Sequence, residues 1–121
     1  MEFAVSKSML VSDSSPLSVS AFHILVALAD GDRHGYAITR EIDEATDGAV
    51  RLGAGTLYRM LHQMLDDGWI IEVDAMRDDD DARRRYYRLT ARGKKIAQAE
   101  AARLAKLVRF ARSRNLLAAG I

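Results

Sequence analysis

The sequence predicts a mainly α-helical fold with one small β-hairpin and a long carboxyl-terminal helix. Three observations lead to this prediction. Apolar residues recur at helical spacing in four separate segments. Between residues 69 and 89, two β-prone runs replace that period. The 121 residues, 49% of them hydrophobic and 29% charged, have the composition of one globular domain.

Start and stop signals bound the three short helices that come first. Ser18 can cap the first helix, which ends at a turn over residues 31–35, and the second helix stops near Gly48. The third helix, residues 52–67, is closed by Gly68. On the first helix, the apolar positions expected to face the core are Val19, Phe22, Leu25, Val26 and Ala29.

A hairpin and a long helix follow. The β-prone runs at 69–73 and 85–89 flank a polar loop that carries the acidic run 78–81. Thr90 can cap an alanine-rich helix that continues to about Asn115. This order is that of a winged helix-turn-helix domain with an additional helix. We place an amino-terminal arm at 1–16, the winged helix-turn-helix domain at 17–90, and a dimerisation helix with its tail at 91–121.

Basic residues are concentrated in the carboxyl-terminal part of the chain. Of 18 lysines and arginines, 12 lie from Arg83 onward, where Glu100 is the single acid among 17. Such an asymmetry favours a polyanionic partner, either nucleic acid or an anionic membrane. The chain has no cysteine, and it shows neither a secretory signal pattern nor an apolar run long enough to span a bilayer, so we expect a reducing, cytoplasmic location.

The third helix of a winged helix enters the major groove, and its polar face supplies the first candidate contacts with double-stranded DNA. These are Gly55, Thr56, Tyr58, Arg59 and His62. Arg59 can contact guanine or a phosphate, and the sequence leaves both open. Tyr36 either packs under the third helix or contacts the DNA backbone. The cluster Arg83, Arg84 and Arg85 is a further candidate, with a solvated strand face as the alternative.

Three ordered motifs within residues 17–93 resemble those of the PadR transcriptional regulators. They are residues 55–58 with Leu61, Leu65 and 68–70, residues 34–38, and residues 85–93. The resemblance implies a winged-helix repressor of the short-tailed type, dimeric through its terminal helix and often released from DNA by a small-molecule effector. Arg59 stands where the family commonly has proline. The wing tip, residues 78–81, is acidic and would repel phosphate. We therefore expect the phosphate contact at the cluster Arg83, Arg84 and Arg85 instead.

The long terminal helix carries an apolar stripe that needs a cover. Its members are Ala97, Ala101, Leu104, Val108 and Ala111. Because an isolated helix gains little from propensity alone, we expect the same helix of a second subunit to cover it. A basic amphipathic helix also suits a membrane surface, but small alanines favour close helix packing, so we expect a homodimer and no membrane partner.

No pattern indicates catalysis or a cofactor. No nucleophile is paired with a base at a motif spacing, so we expect no catalytic residues and no enzyme activity. His23, His34 and His62 lie on separate elements without a ligand spacing, so we expect no metal. The leading hypothesis is a sequence-specific DNA-binding transcriptional regulator, a homodimeric repressor on a pseudo-palindromic operator. The alternative is a winged-helix module that binds a protein partner and does not bind DNA specifically, and the acidic balance before residue 83 leaves this alternative open.

Overall fold

A computed structural model describes residues 15–74 and 84–118 of the chain. The predicted fold, mainly α-helical with a small sheet and a long terminal helix, is confirmed. Within these ranges the elements are α1 (Val19–Ala29), β1 (Arg33–His34), α2 (Gly35–Ala45), α3 (Ala54–Asp66), β2 (Ile70–Val73), β3 (Tyr86–Leu89) and α4 (Ala91–Ser113). Most of the expected arm, the acidic run 78–81 and Arg83 lie outside the described residues.

The predicted helix caps are confirmed. The Ser18 hydroxyl accepts from the Ala21 amide at 3.1 Å, and the Thr90 hydroxyl accepts from the Gly93 amide at 3.0 Å. Each bond satisfies one of the amides that a helix start leaves without an intrahelical partner. The third helix begins two residues later than expected, because Gly53 is still extended and serves as its cap residue.

The sheet has three strands, in the order β1-β3-β2, where the sequence predicted a hairpin of two. Residues 31–35 were expected to form only a turn, but Arg33 pairs with Tyr87 and His34 pairs with Tyr86 across the free edge of β3. A strand of two residues is too short to show an alternating pattern, so periodicity does not detect it. The pairing places the start of α2 beside the wing.

The helices meet in one apolar core, but α1 turns a different face to it than expected. The largest fully buried side chains are Ile24, Leu25, Ile38, Leu57, Leu61 and Ile70. Val19 and Val26, which we had assigned to the core, are 65% and 48% exposed. Since α1 is apolar on nearly all sides, its periodicity does not select one face.

The start of α4 is packed tightly against the entrance of the wing. The Thr90 hydroxyl donates to the carbonyl oxygen of Gly68 at 2.7 Å. A Cβ at position 93 would collide with the Trp69 carbonyl, so only glycine permits this approach at Gly93. The first turns of the long helix are therefore fixed to the start of the wing. No helix in the described ranges is both long and apolar enough to cross a membrane.

Glu100, the single acid of the basic half, is a buried charge that ties α4 to the chain before α1. Glu100 is only 4% exposed, and its carboxylate accepts two hydrogen bonds from Arg103, at 2.6 and 3.0 Å. It also accepts from the Leu17 amide at 3.3 Å. The Arg103 hydrogen bonds lower the pKa of Glu100 against the opposing effect of burial, and the Leu17 amide adds to the lowering.

We expect Glu100→Gln to lower the free energy of unfolding by about 1–3 kcal/mol at pH 7, because the charge-assisted bonds to Arg103 are lost. The pKa of Glu100 is lowered in the folded state. The stabilisation is therefore complete above the unfolded pKa, about 4.3, and is lost as the pH falls through the folded pKa. Urea denaturation of the wild type and of Glu100→Gln should therefore show that the difference between their free energies of unfolding becomes smaller below about pH 5.

Glu44→Gln is the matched control, because Glu44 forms an exposed ion pair with Arg40 at 3.7 Å within α2. Glu44→Gln should lower the free energy of unfolding by less than about 1 kcal/mol. Equal losses for the two variants, or a Glu100→Gln difference that does not change with pH, would contradict the assigned role of Glu100.

Candidate nucleic-acid interface

The first half of α3 has one face in the core and the other in solvent. Leu57 and Leu61 are each 1% exposed and anchor the helix. Gly55, Thr56, Tyr58, Arg59 and His62, the residues predicted from the sequence, are all exposed. A Cβ at Gly55 would meet nothing within 4 Å, so the helix surface at this point is open to a close approach. The solvent face therefore combines hydroxyl, guanidinium and imidazole groups around an open backbone.

Tyr58 joins α3 to the start of α2. Its side chain is half exposed, and its phenol lies directly over Gly35. A Cβ at Gly35 would be 2.5 Å from the Tyr58 hydroxyl oxygen, so the absence of a side chain there makes room for the ring. The Tyr58 ring is thus positioned by packing, while its edge remains at the surface.

Aromatic rings and an arginine surround the start of α2. The His34 ring stacks on Tyr36, with ring centroids 6.4 Å apart, and meets the buried Tyr86 edge-on at 5.2 Å. Tyr36 is 63% exposed, so it lies at the surface rather than under α3. Arg84 approaches from the wing, with Nη1 3.4 Å from His34 Nε2. The structure thus brings Tyr36, Tyr58 and Arg84 to one face, beside His34.

Acidic side chains hold two arginines at the wing. Arg85 donates to Glu72 at 2.9 Å, and this hydrogen bond raises the pKa of Arg85. Arg88 contacts both carboxylate oxygens of Asp32, at 2.9 and 3.0 Å, and its hydrogen bonds lower the pKa of Asp32. Arg85, a predicted DNA contact, is therefore exposed but engaged with a carboxylate.

The distal half of α4 extends beyond the core and exposes apolar side chains. Of the predicted stripe, Ala97 packs against the core of its own domain, Leu104 and Ala111 are half-buried, and Ala101 and Val108 are exposed. Leu107 and Phe110, which we did not include, are 53% and 56% exposed on neighbouring positions. Leu107 and Phe110 follow Leu104 in steps of three residues, so their helical spacing in the sequence could have identified them as part of this face.

A cavity of about 550 Å³ lies between the start of α1, the back of α3 and the beginning of the wing. Its apolar wall includes Leu17, Ala21, Met60, Met64 and Trp69, and Arg59, Gln63 and Asp67 stand on its polar side. The indole nitrogen of Trp69 is buried and has no hydrogen-bond partner among the described residues. Within those same residues, no three histidine or carboxylate side chains are grouped to hold a metal.

Comparison with known proteins supports the motif resemblance. The model of the transcriptional regulator PadR-like family matches residues 24–99. A curated, uncharacterised protein of Lysinibacillus sphaericus is 35% identical over 71 residues, which are 59% of this chain and 64% of that protein. The match thus spans less than two thirds of the length of that relative.

Solved structures share the fold. A PadR family transcription regulator of Clostridium difficile is 23% identical and superposes with a TM-score of 0.69, over 79% of this chain and 97% of that chain. The PadR protein of Bacillus subtilis, solved in complex with operator DNA, is 25% identical with a TM-score of 0.58, over 67% of this chain and 46% of that chain.

Proposed function

The chain belongs to the PadR-like family of transcriptional regulators, and on that premise we propose that it is a DNA-binding repressor that acts as a homodimer. The observation that carries the proposal is the exposed, polar first half of α3, held by Leu57 and Leu61 in the core. In a winged helix, the amino-terminal residues of this helix contact base edges. Members of this family are transcription regulators rather than enzymes.

The proposed DNA contacts are Tyr36, Gly55, Thr56, Tyr58, Arg59, His62, Arg84 and Arg85, with Arg83 outside the described residues. Arg59 supplies a guanidinium on the exposed face of α3, and Gly55 allows the helix to approach the bases. The similar Bacillus subtilis protein was solved with its operator DNA, which supports an operator as the target here. A protein bound at an operator excludes others from that DNA, so we expect repression.

We expect Arg59→Ala to weaken operator binding by about 1–3 kcal/mol and to relax base preference at one position in each half-site, because a bidentate contact with guanine is lost. The operator is first selected from a pool of random duplexes, and both proteins are then compared at one salt concentration. Lys106→Ala is the control, since it removes one exposed charge from α4. Unchanged affinity and preference for Arg59→Ala would remove Arg59 from the interface.

The proposed dimer interface is the exposed apolar face of α4. Leu107, Val108 and Phe110 are 53%, 41% and 56% exposed, and they follow the half-buried Leu104 along the helix. A second copy of α4 is the proposed cover, because the two stripes are identical and a twofold pairing buries both. Such a pairing sets two copies of α3 about 34 Å apart, which suits a pseudo-palindromic operator.

We expect Leu104→Asp with Val108→Asp to give a monomer that keeps its winged-helix core but binds the operator weakly, because charges cannot be buried in that interface. Sedimentation velocity at micromolar concentration measures the dimer, and circular dichroism checks the fold. Ala102→Asp with Lys106→Asp is the matched control, since both residues are exposed, have the same spacing of four, and lie on the opposite side of α4 from Leu104 and Val108. A wild-type monomer, or a dimer that survives the first pair of substitutions, would refute this interface.

The cavity beside Trp69 is the proposed site for a small-molecule effector. Its wall is mostly apolar and includes Met60 and Met64, while Arg59 stands at its edge, so a ligand there contacts the helix proposed to bind DNA. A flat apolar molecule with an acidic group fits this lining, because Arg59 attracts the acid. Displacement of Arg59 from DNA would then relieve repression.

Trp69 is the single tryptophan, so its fluorescence reports on the cavity. We expect 2-naphthoate, used as a probe, to change the Trp69 emission saturably and to weaken operator binding. Ala21→Met, which lengthens a side chain at the cavity wall, should reduce both effects together. Emission that does not change up to millimolar probe would contradict the site, and saturable binding with unchanged operator affinity would contradict its regulatory role.

A further inference from the structure

The long helix α4 is the most basic element of the described chain. Within Ala91–Ser113 it carries seven lysines and arginines and one acid, Glu100. That acid is buried and pairs with Arg103 at 2.6 Å, so α4 exposes no acidic side chain. The functions proposed above use the polar face of α3, the wing and the apolar side of α4, and they leave these positive charges unexplained.

Four exposed cations form a stripe along one side of α4. They are Arg92, Lys95, Lys106 and Arg109, and we call them the basic stripe. With 3.6 residues per turn and a rise of 1.5 Å per residue, the four positions lie within about 100° of arc and extend over about 26 Å. None of the four has a hydrogen bond or an ion pair with another described residue. Their charge is therefore not neutralised by the rest of the described chain.

The basic stripe begins at the end of α3 that is remote from the proposed base contacts. A Cβ at Gly68, which follows α3, would be 3.9 Å from Cδ of Arg92. Because α3 has 13 residues, its two ends are about 20 Å apart. The first half of α3 is the part proposed to enter the groove, so Arg92 lies at the opposite end of that helix. A duplex read by α3 therefore leaves the start of the stripe accessible.

The composition of the basic stripe suits a nucleic acid better than a protein or a lipid surface. Protein interfaces are depleted in lysine and depend on aromatic anchors, but Ala99 and Ala102 occupy the positions between these cations. A helix on a membrane buries its apolar side in the lipid, but the apolar side of α4 is already buried in the core at Ile96. A row of cations without anchors is sufficient for the phosphates of a duplex.

We propose that the basic stripe binds a second segment of duplex DNA through its phosphates, without reading the sequence. This proposal goes beyond operator recognition, and it rests on the proposed function in that the first duplex is bound through α3. Each cation that contacts a phosphate releases a counterion, so four contacts give a slope of log affinity against log salt of about −3.6. A regulator bound at its operator then holds two DNA segments together.

A capture assay tests the second site directly. The wild-type protein is loaded onto an immobilised operator with both half-sites, so that the α3 surfaces are occupied, and unbound protein is washed away. A labelled duplex of random sequence is then added. We expect the loaded complex to capture this duplex at about 50 mM salt and to bind it about 100-fold more weakly at about 200 mM salt.

Two double variants locate the contact on α4. Lys95→Gln with Arg109→Gln should reduce the salt slope for the second duplex by about two units and leave operator affinity within about two-fold. Lys94→Gln with Arg114→Gln is the matched control, because it removes the same charge from exposed positions that lie about 100° around the helix from the stripe. We expect the control to reduce the slope by less than about one unit. Circular dichroism checks that both variants keep the helix.

The second site and operator recognition fail in different ways. A loaded complex that captures no second duplex, or equal losses of slope in the two double variants, overturns the second site and leaves operator binding by α3 standing. Capture of phosphatidylserine vesicles without capture of the duplex assigns the stripe to a membrane and also overturns the proposal. If the wild type selects no operator, recognition by α3 falls, and direct titration with the random duplex decides the stripe by the same two-unit difference in slope.

Discussion

The pairing of the two-residue strand β1 with β3 determines how the start of α2 meets the wing. It places His34 opposite Tyr86 and so brings the start of α2 against the base of the wing. The next residue, Gly35, leaves the space that the Tyr58 ring of α3 occupies. The start of α2, the wing and α3 thereby meet on one surface. Two strand pairs, Arg33 with Tyr87 and His34 with Tyr86, and the lack of a side chain at Gly35 make this possible.

Ion pairs across the sheet redistribute the charge that the sequence separates. Counted along the chain, the acids come first and the bases later, but in space Asp32 lies on Arg88 and Glu72 lies on Arg85. These pairs are exposed, and exposed pairs contribute little stability. The two carboxylates therefore neutralise part of the basic charge at the wing.

Two contacts near its start fix the long helix α4 to the rest of the described chain. Gly93 lets it approach the Trp69 carbonyl, and Glu100 ties it to the Leu17 amide before α1. Beyond these contacts the same helix exposes Leu107 and Phe110. In the proposed dimer, the angle at which two copies of α4 pair would therefore set the separation of their α3 helices.

The sequence by itself determined the order of elements, the caps at Ser18 and Thr90, and the polar face of α3, because hydrogen bonds and periodicity within a few residues specify them. Only the tertiary structure decided the strand β1, the buried face of α1, and the contact of Glu100 with the Leu17 amide, 83 residues away. It also decided the packing of the His34 ring against Tyr86, since the sequence weighed His34 only as a metal ligand and as part of a family motif. Each of these depends on contacts between distant segments, and no local pattern records which distant group will be near.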